Sequence, residues 1–209
     1  MQNTWNQIEL GDKKYFDLIV GGTPSKAEEN YWNKGTINWV RSADLTKKYL
    51  YESEKKITKQ GLENSAAKLL PKGTVIISSR VSLGNCAIAG EEMATSQDCT
   101  GIVIKSDSIY NEFLYYYMQK HANRIIKMSE GSTIKGITQE NLGKMYFQFP
   151  IISEQHKIAE ILSTVDFAIE LAEEKIQKAE QLKRGLMQTL LTRGIGHKKF
   201  SISLLLIAG

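Results

Sequence analysis

Between residues 153 and 192 the chain contains no proline and a single glycine, Gly185, and its apolar residues repeat every seven positions. Ile158, Val165, Ala172, Ala179 and Leu186 form one series. Leu162, Ile169, Ile176, Lys183 and Leu190 form the other, broken only by Lys183, with Leu182 beside it. Two interleaved heptad series of this kind mark a coiled-coil seam. Ser153 suits an N-cap, with Glu154 in the first turn where the helix dipole favours negative charge. At 1.5 Å per residue such a helix is roughly 58 Å long, too long to lay its whole stripe on a small domain. The segment therefore wants another helix, and Ala172 and Ala179 would let two backbones approach closely.

The residues before it are organised differently. Runs rich in β-branched side chains at 36–40 and 74–78, further runs at 86–89 and 101–105, and 145–149 closed by Pro150, read as strands. Residues 109–128 place Ile109, Phe113, Leu114, Tyr117, His121 and Ile125 at helical spacing and predict one amphipathic helix, with Tyr115 and Tyr116 off its stripe. Gly21-Gly22-Thr23-Pro24-Ser25 reads as a turn in which the paired glycines allow positive φ. The expected fold class is α/β in the α+β sense. A strand-rich globular domain occupies residues 1–152, a long helix 153–192 and a tail 193–209.

Composition narrows the function. With 42% hydrophobic and 24% charged residues, the 209-residue chain has a globular composition. Its 27 Lys+Arg against 23 Asp+Glu permit a polyanionic partner without demanding one. The basic excess sits in residues 1–152 and in the tail, while 153–192 is net acidic. Cys86 and Cys99 are the only cysteines and no signal peptide opens the sequence, so free, buried thiols and a cytoplasmic location are expected. His121, His156 and His197 are too scattered to suggest a metal site, and no apolar run approaches bilayer length.

No P-loop, no G-x-G-x-x-G opening a helix, and no G-x-S-x-G, H-E-x-x-H or C-x-x-C is present. Asp44 with Glu54-Lys55-Lys56 loosely matches a spacing used for Mg²⁺-dependent cleavage, but surface charges produce it often by chance. No catalytic residue and no metal ligand is assigned. Nucleic-acid contact suits the side chains better. Phosphates accept from Lys, Arg, hydroxyls and free backbone N–H groups, and base edges are read by Arg, Asn, Gln and Lys. Four polar segments offer such groups: Thr23, Ser25 and Lys26; Arg41; Ser79, Arg80 and Ser82; and Ser132, Thr133 and Lys135 between two glycines. Each alone is an ordinary polar turn, but four in one modestly basic domain suggest a nucleic acid. Tyr115-Tyr116-Tyr117 could stack on bases, although core packing is the better reading. His156 and Lys183 read as solvated or register-setting.

These pieces, in this order, resemble the specificity subunits of type I restriction-modification enzymes. The resemblance runs through Trp5…Leu10-Gly11, Gly21-Gly22-Thr23-Pro24-Ser25, Ile57-Thr58…Gly61-Leu62 and Leu70-Pro71-Lys72-Gly73-Thr74-Val75. It continues through Ser78-Ser79-Arg80…Gly84, Thr95-Ser96-Gln97 and Gly131-Ser132-Thr133. Its most specific piece is Pro150…Glu154-Gln155-His156-Lys157-Ile158-Ala159-Glu160-Ile161-Leu162…Asp166, and Leu186-Met187-Gln188…Leu190-Leu191-Thr192 closes it.

The resemblance implies a non-catalytic DNA reader. A target recognition domain reads one half of a bipartite site in double-stranded DNA, and a spacer helix packs antiparallel on a second helix. The subunit would dock methyltransferase (modification) subunits and restriction/translocase subunits. S-adenosylmethionine, ATP and Mg²⁺ would belong to those partners, with no cofactor on this chain. Family chains hold two recognition domains and two helices, whereas this sequence shows one of each. A homodimer and an interrupted palindromic site are therefore expected. Residues 201–209 look like a truncation or frameshift tail. The alternatives are a stand-alone DNA-binding regulator, an enzyme using Asp44 and Glu54 in Mg²⁺-dependent cleavage, and an inactive truncated remnant.

Overall fold

Strand β7 (Val75–Ser78) and its neighbour β8 (Cys86–Ala89) are buried on both faces, which is why each reads as an apolar run rather than an alternation. Val75, Ile77, Cys86 and Ile88 face one core, whereas Ile76, Ala87 and Ala89 face another. They lie in a five-stranded sheet ordered β2 (Phe16–Val20), β10 (Cys99–Ile104), β7, β8, β4 (Tyr49–Leu50). Its pairs are antiparallel except for the parallel β4–β8 pair. A four-stranded sheet ordered β5 (Lys55–Ile57), β3 (Ile37–Val40), β9 (Met93–Thr95), β6 (Leu69–Leu70) supplies Val40, Leu70 and Met93 to the second core. Here β3 and β9 run parallel and the outer pairs antiparallel.

The computed structural model describes residues 5–129 and 136–195, and the chain divides into two units, Met1–Glu160 and Ile161–Gly209. The two sheets belong to the first unit. So does a ribbon of β1 (Asn6–Glu9) and β11 (Tyr146–Phe149), whose Phe147 and Phe149 enter the first core. Short helices α1 (Lys59–Glu63) and α4 (Gln139–Gly143) are capped by the Thr58 and Thr138 side chains. The α+β architecture with a long C-terminal helix agrees with the sequence expectation.

Residues 109–128 form two helices rather than one, α2 (Asn111–Lys120) and α3 (Ala122–Ser129), parted at His121. The break lets Ile125 join Phe113, Leu114 and Met118 in the first core and seats Ala122 against Gly84. Tyr115 and Tyr116, off the predicted stripe, are buried, because α2 packs on β8 and β7 while Lys48 covers Tyr116. Core packing of these tyrosines is thus what the structure shows.

Gly21 and Gly22 do not use positive φ. They are small because a Cβ on Gly21 would lie 2.1 Å from the Thr95 carbonyl oxygen, and one on Gly22 2.4 Å from the Ala66 carbonyl carbon. The segment is a close approach of backbones, not a glycine-driven turn.

Helix α5 (Ile152–Arg193) is a single helix of 42 residues. It starts at Ile152, where the Ile151 carbonyl accepts from the Glu154 and Gln155 N–H groups. Ser153 therefore sits inside the first turn and does not cap it. Gln155 is fully buried. Its Oε1 accepts from the Tyr110 N–H at 2.9 Å, and its Nε2 donates to the carbonyls of Ser108 (2.8 Å) and Pro150 (2.9 Å). Ala159 is buried beside it, Ile158 packs on the first core, and His156 lies 3.9 Å from the Tyr110 ring, centroid to centroid. The helix start thus belongs to the first unit.

From Ile161 onward every large apolar side chain of the helix is exposed, from 37% at Leu162 to 80% at Leu191. The ion pairs Glu174–Lys178 and Glu180–Arg184 stand at i,i+4 in the favourable order, each adding only a few tenths of a kcal/mol. Gly194, at φ 63°, ends the helix by donating its N–H to the Leu190 carbonyl.

Candidate nucleic-acid interface

Strand register decides where the polar segments meet. Cys99 pairs with Ser78, Thr100 with Val20, and Thr95 with Val40. The exits of β2, β3, β7 and β9 and the start of β10 therefore lie along one edge of the first unit. At the centre of that edge is the turn at residues 96–98. The Ser96 N–H donates to the Val40 carbonyl (2.8 Å), and the Ser79 N–H donates to the Asp98 carbonyl (2.8 Å). The Gly22 N–H donates to the neighbouring Thr95 carbonyl (2.9 Å). The Ser42 hydroxyl donates to the Asp98 carbonyl (3.3 Å), and the Thr23 hydroxyl to the Gln97 side-chain carbonyl. Three segments separated by tens of residues are thereby tied to one hub.

The predicted contact residues differ in what they have left to offer. Ser25 and Lys26 are exposed, and Thr23 is half-buried on Gln97. Arg41 is half-buried, its Nη2 2.6 Å from Glu54 and its Nε 3.4 Å from Asp44. Glu54 and then Asp44 hold its pKa above the ordinary value by accepting hydrogen bonds from the guanidinium. The two carboxylates weighed as Mg²⁺ ligands thus share one arginine. Among the described residues no group of three or more His, Cys, Asp or Glu side chains is placed to hold a metal.

Ser79 is buried, whereas Arg80 and Ser82 are exposed, Ser82 at φ 52°. Arg80 makes no ion pair among the described residues. Ser132, Thr133 and Lys135 lie outside the described residues. The segment that follows them is anchored at this edge: the Ile137 N–H donates to the Ser79 carbonyl (2.8 Å), and a Cβ on Gly136 would lie 2.7 Å from that same oxygen.

Reading for basic turns missed Gln97 and Asp98, which carry no positive charge. Only register reveals them as the hub. Thr95, at the same turn, has a fully buried hydroxyl with no hydrogen-bond partner among the described residues. Cys86 and Cys99 are free and buried, and burial pushes both thiols up to about 12, so neither serves as a nucleophile near neutral pH.

The predicted dimerisation residues fall into two groups. Ile158 is half-buried on the first unit's core. Leu162, Val165, Ile169, Ala172, Ile176, Ala179, Leu186 and Leu190 are exposed along α5. No described helix is long and apolar enough to cross a membrane.

Comparison with known proteins agrees with this architecture. The chain is 34% identical over 159 residues to the MjaIX type I restriction enzyme specificity subunit of Methanocaldococcus jannaschii, covering 74% of this chain and 36% of that one. It superposes on the HsdS subunit from Thermoanaerobacter tengcongensis with a TM-score of 0.66 at 20% identity, covering 93% of this chain and 45% of that one. A chain solved for complex assembly and conformational transition of the type I R-M system gives a TM-score of 0.73, also at 20% identity, over 93% and 46% of the two chains. The chain thus spans less than half the length of these relatives. The family model for the type I restriction modification DNA specificity domain matches residues 2–181, and the chain belongs to that family.

Proposed function

We propose that this chain is a non-catalytic DNA-specificity subunit of a type I restriction-modification system. Its first unit reads one half of a bipartite site in double-stranded DNA, using the edge organised by the turn at 96–98. Helix α5 pairs antiparallel with the same helix of a second copy and so sets the gap between half-sites. The assembly, in the cytoplasm, docks methyltransferase and restriction/translocase subunits, and those partners carry S-adenosylmethionine, ATP and Mg²⁺.

The observation that carries this reading is the contrast within α5. A heptad stripe extends along a helix and no described residue covers it, in a chain of the specificity-domain family. Covering Leu162, Val165, Ile169, Ile176, Leu186 and Leu190 on two such helices contributes on the order of 10 kcal/mol. That is comparable with the loss of translational and rotational freedom on association. Two-fold pairing then requires an interrupted palindromic DNA site, because protein and DNA dyads coincide.

The test is the adenine-methylation map of host DNA with the gene present and deleted. An interrupted palindromic motif that vanishes on deletion supports the reading. An asymmetric bipartite motif would replace self-pairing by pairing with a different recognition unit. An unchanged map would overturn the proposal in favour of a regulator or an inactive remnant.

A further inference from the structure

We propose that a cleft of about 420 Å³ lined by Lys26, Glu29, Trp32, Lys55 and Lys56 seats the phosphodiester backbone of DNA beside the half-site, as a sequence-independent anchor. This rests on the DNA-reading function proposed above. It adds Trp32, Lys55 and Lys56, which lie outside the four polar segments, and separates anchoring from reading.

Charge points to an anion. Lys13, Lys59, Lys105 and Lys144 of the same unit each sit on a carboxylate. Lys26, Lys55 and Lys56 make no ion pair among the described residues, yet they share one cleft whose lining includes a single carboxylate, that of Glu29. Three ammonium groups against one carboxylate leave a local positive excess that a polyanion relieves.

Side-chain chemistry points to backbone rather than bases. Among the described residues the lining holds no Arg, Asn or Gln, the residues that make paired hydrogen bonds to base edges, and lysine acts on phosphate as a point charge. The Trp32 indole is fixed: its Nε1 donates to the Ser25 carbonyl at 3.0 Å, and its ring meets Trp39 edge-on at 5.1 Å. With its N–H engaged, the ring is an apolar wall for a sugar rather than a donor to a base.

Position points to DNA rather than a free nucleotide. The Trp39 Nε1 donates to the Gly22 carbonyl at 2.9 Å, so the segment leading to Lys26 lies over the same tryptophan pair. Lys55 pairs across the sheet with Trp39, two residues and roughly 7 Å of strand before Arg41. The cleft therefore continues the edge at which the predicted contact residues converge.

The experiment compares the 209-residue chain with the triple variant Lys26→Gln, Lys55→Gln, Lys56→Gln. Circular dichroism would verify folding, and anisotropy would follow binding to cognate and unrelated duplexes across a salt series. Each phosphate that is no longer neutralised lowers the slope of log K against log salt by about 0.9. With three charges removed, the magnitude of the slope should thus drop by about 2.7, and binding should weaken equally on both duplexes. An unchanged slope in a variant that still binds overturns the anchor while leaving the DNA-reading function intact. A changed preference between duplexes would make the cleft a base reader and also overturns it. Displacement of duplex by ATP from the wild type but not from the variant would make it a nucleotide pocket, which overturns the anchor as well. If the wild type binds no duplex at low salt, the DNA-reading function falls together with the anchor.

Discussion

Phe147 and Ile169 are both large apolar side chains at regular spacing, yet Phe147 is fully buried and Ile169 is 51% exposed. In the first unit the chain supplies its own cover. Phe147 meets Phe16, Phe113 and Tyr117 edge-on, and the ribbon carrying it joins a core shared with the five-stranded sheet and α2. In the second unit the period is as regular, but no other described element of that unit covers the helix. The comparison teaches that regular patterning specifies a surface to be buried without specifying who buries it. If the self-pairing proposed above holds, stability of the first unit is intrinsic to the chain, whereas that of the second depends on protein concentration.

The largest effect that would break this contrast is on the seam. Replacing Ile169 and Ile176 together by Glu should abolish self-association at micromolar concentration in sedimentation velocity and leave unfolding of the first unit unchanged. A dimer that survives both charges would show that the seam is wrongly assigned. Next comes Gly21→Ala, whose Cβ would press on the Thr95 backbone and side chain. It should cost the first unit about 3 kcal/mol in urea unfolding at every protein concentration. A cost that varied with concentration would tie the first unit to association after all.

Gln155→Leu sharpens the boundary between the regions. It strands one backbone N–H and removes a donor from two carbonyls, and should lower unfolding stability by about 2 kcal/mol. No change would mean that the start of α5 does not depend on this clamp. The smallest effect is in the thiols. Burial raises Cys86 and Cys99 from 9.0 to about 12. The folded state therefore keeps protons that the unfolded chain releases above about pH 9. This contribution is fully present below that pH and is lost as the pH rises towards 12. Between about pH 8 and about pH 10.5 the wild type should lose more stability than the double variant Cys86→Ala, Cys99→Ala. Equal losses would assign the alkaline decline to other groups.

Much of the fold was legible because period survives into structure. The strands at Ile37–Val40, Val75–Ser78, Cys86–Ala89, Cys99–Ile104 and Tyr146–Phe149 lie where β-branched and aromatic runs place them, and the long helix lies where proline is missing. The break at His121 was not legible. A period identifies one buried face, while α2 is buried on more than one, and the kink serves a contact with Gly84 far away in sequence. Gly21 and Gly22 suggested a turn because glycine is read first as conformational freedom. Their use here is absence of volume against Thr95 and Ala66, which involves residues that no local pattern names.

The candidate interface divides in the same way. Basic and hydroxyl turns at Lys26, Arg41 and Arg80 are visible as residue types. That Arg41 is held by Asp44 and Glu54 while Arg80 is exposed is a matter of tertiary placement. The amino-acid sequence by itself determined the alternation of a strand-rich unit with a heptad-patterned helix, since both rest on local period and on the placement of Pro and Gly. Only the tertiary structure decided that Gln97 and Asp98 stand where the strand ends converge, and that Lys55 and Lys56 share a cleft with Lys26. Strand register sets these proximities, and register results from which apolar faces pack together across long separations in the chain.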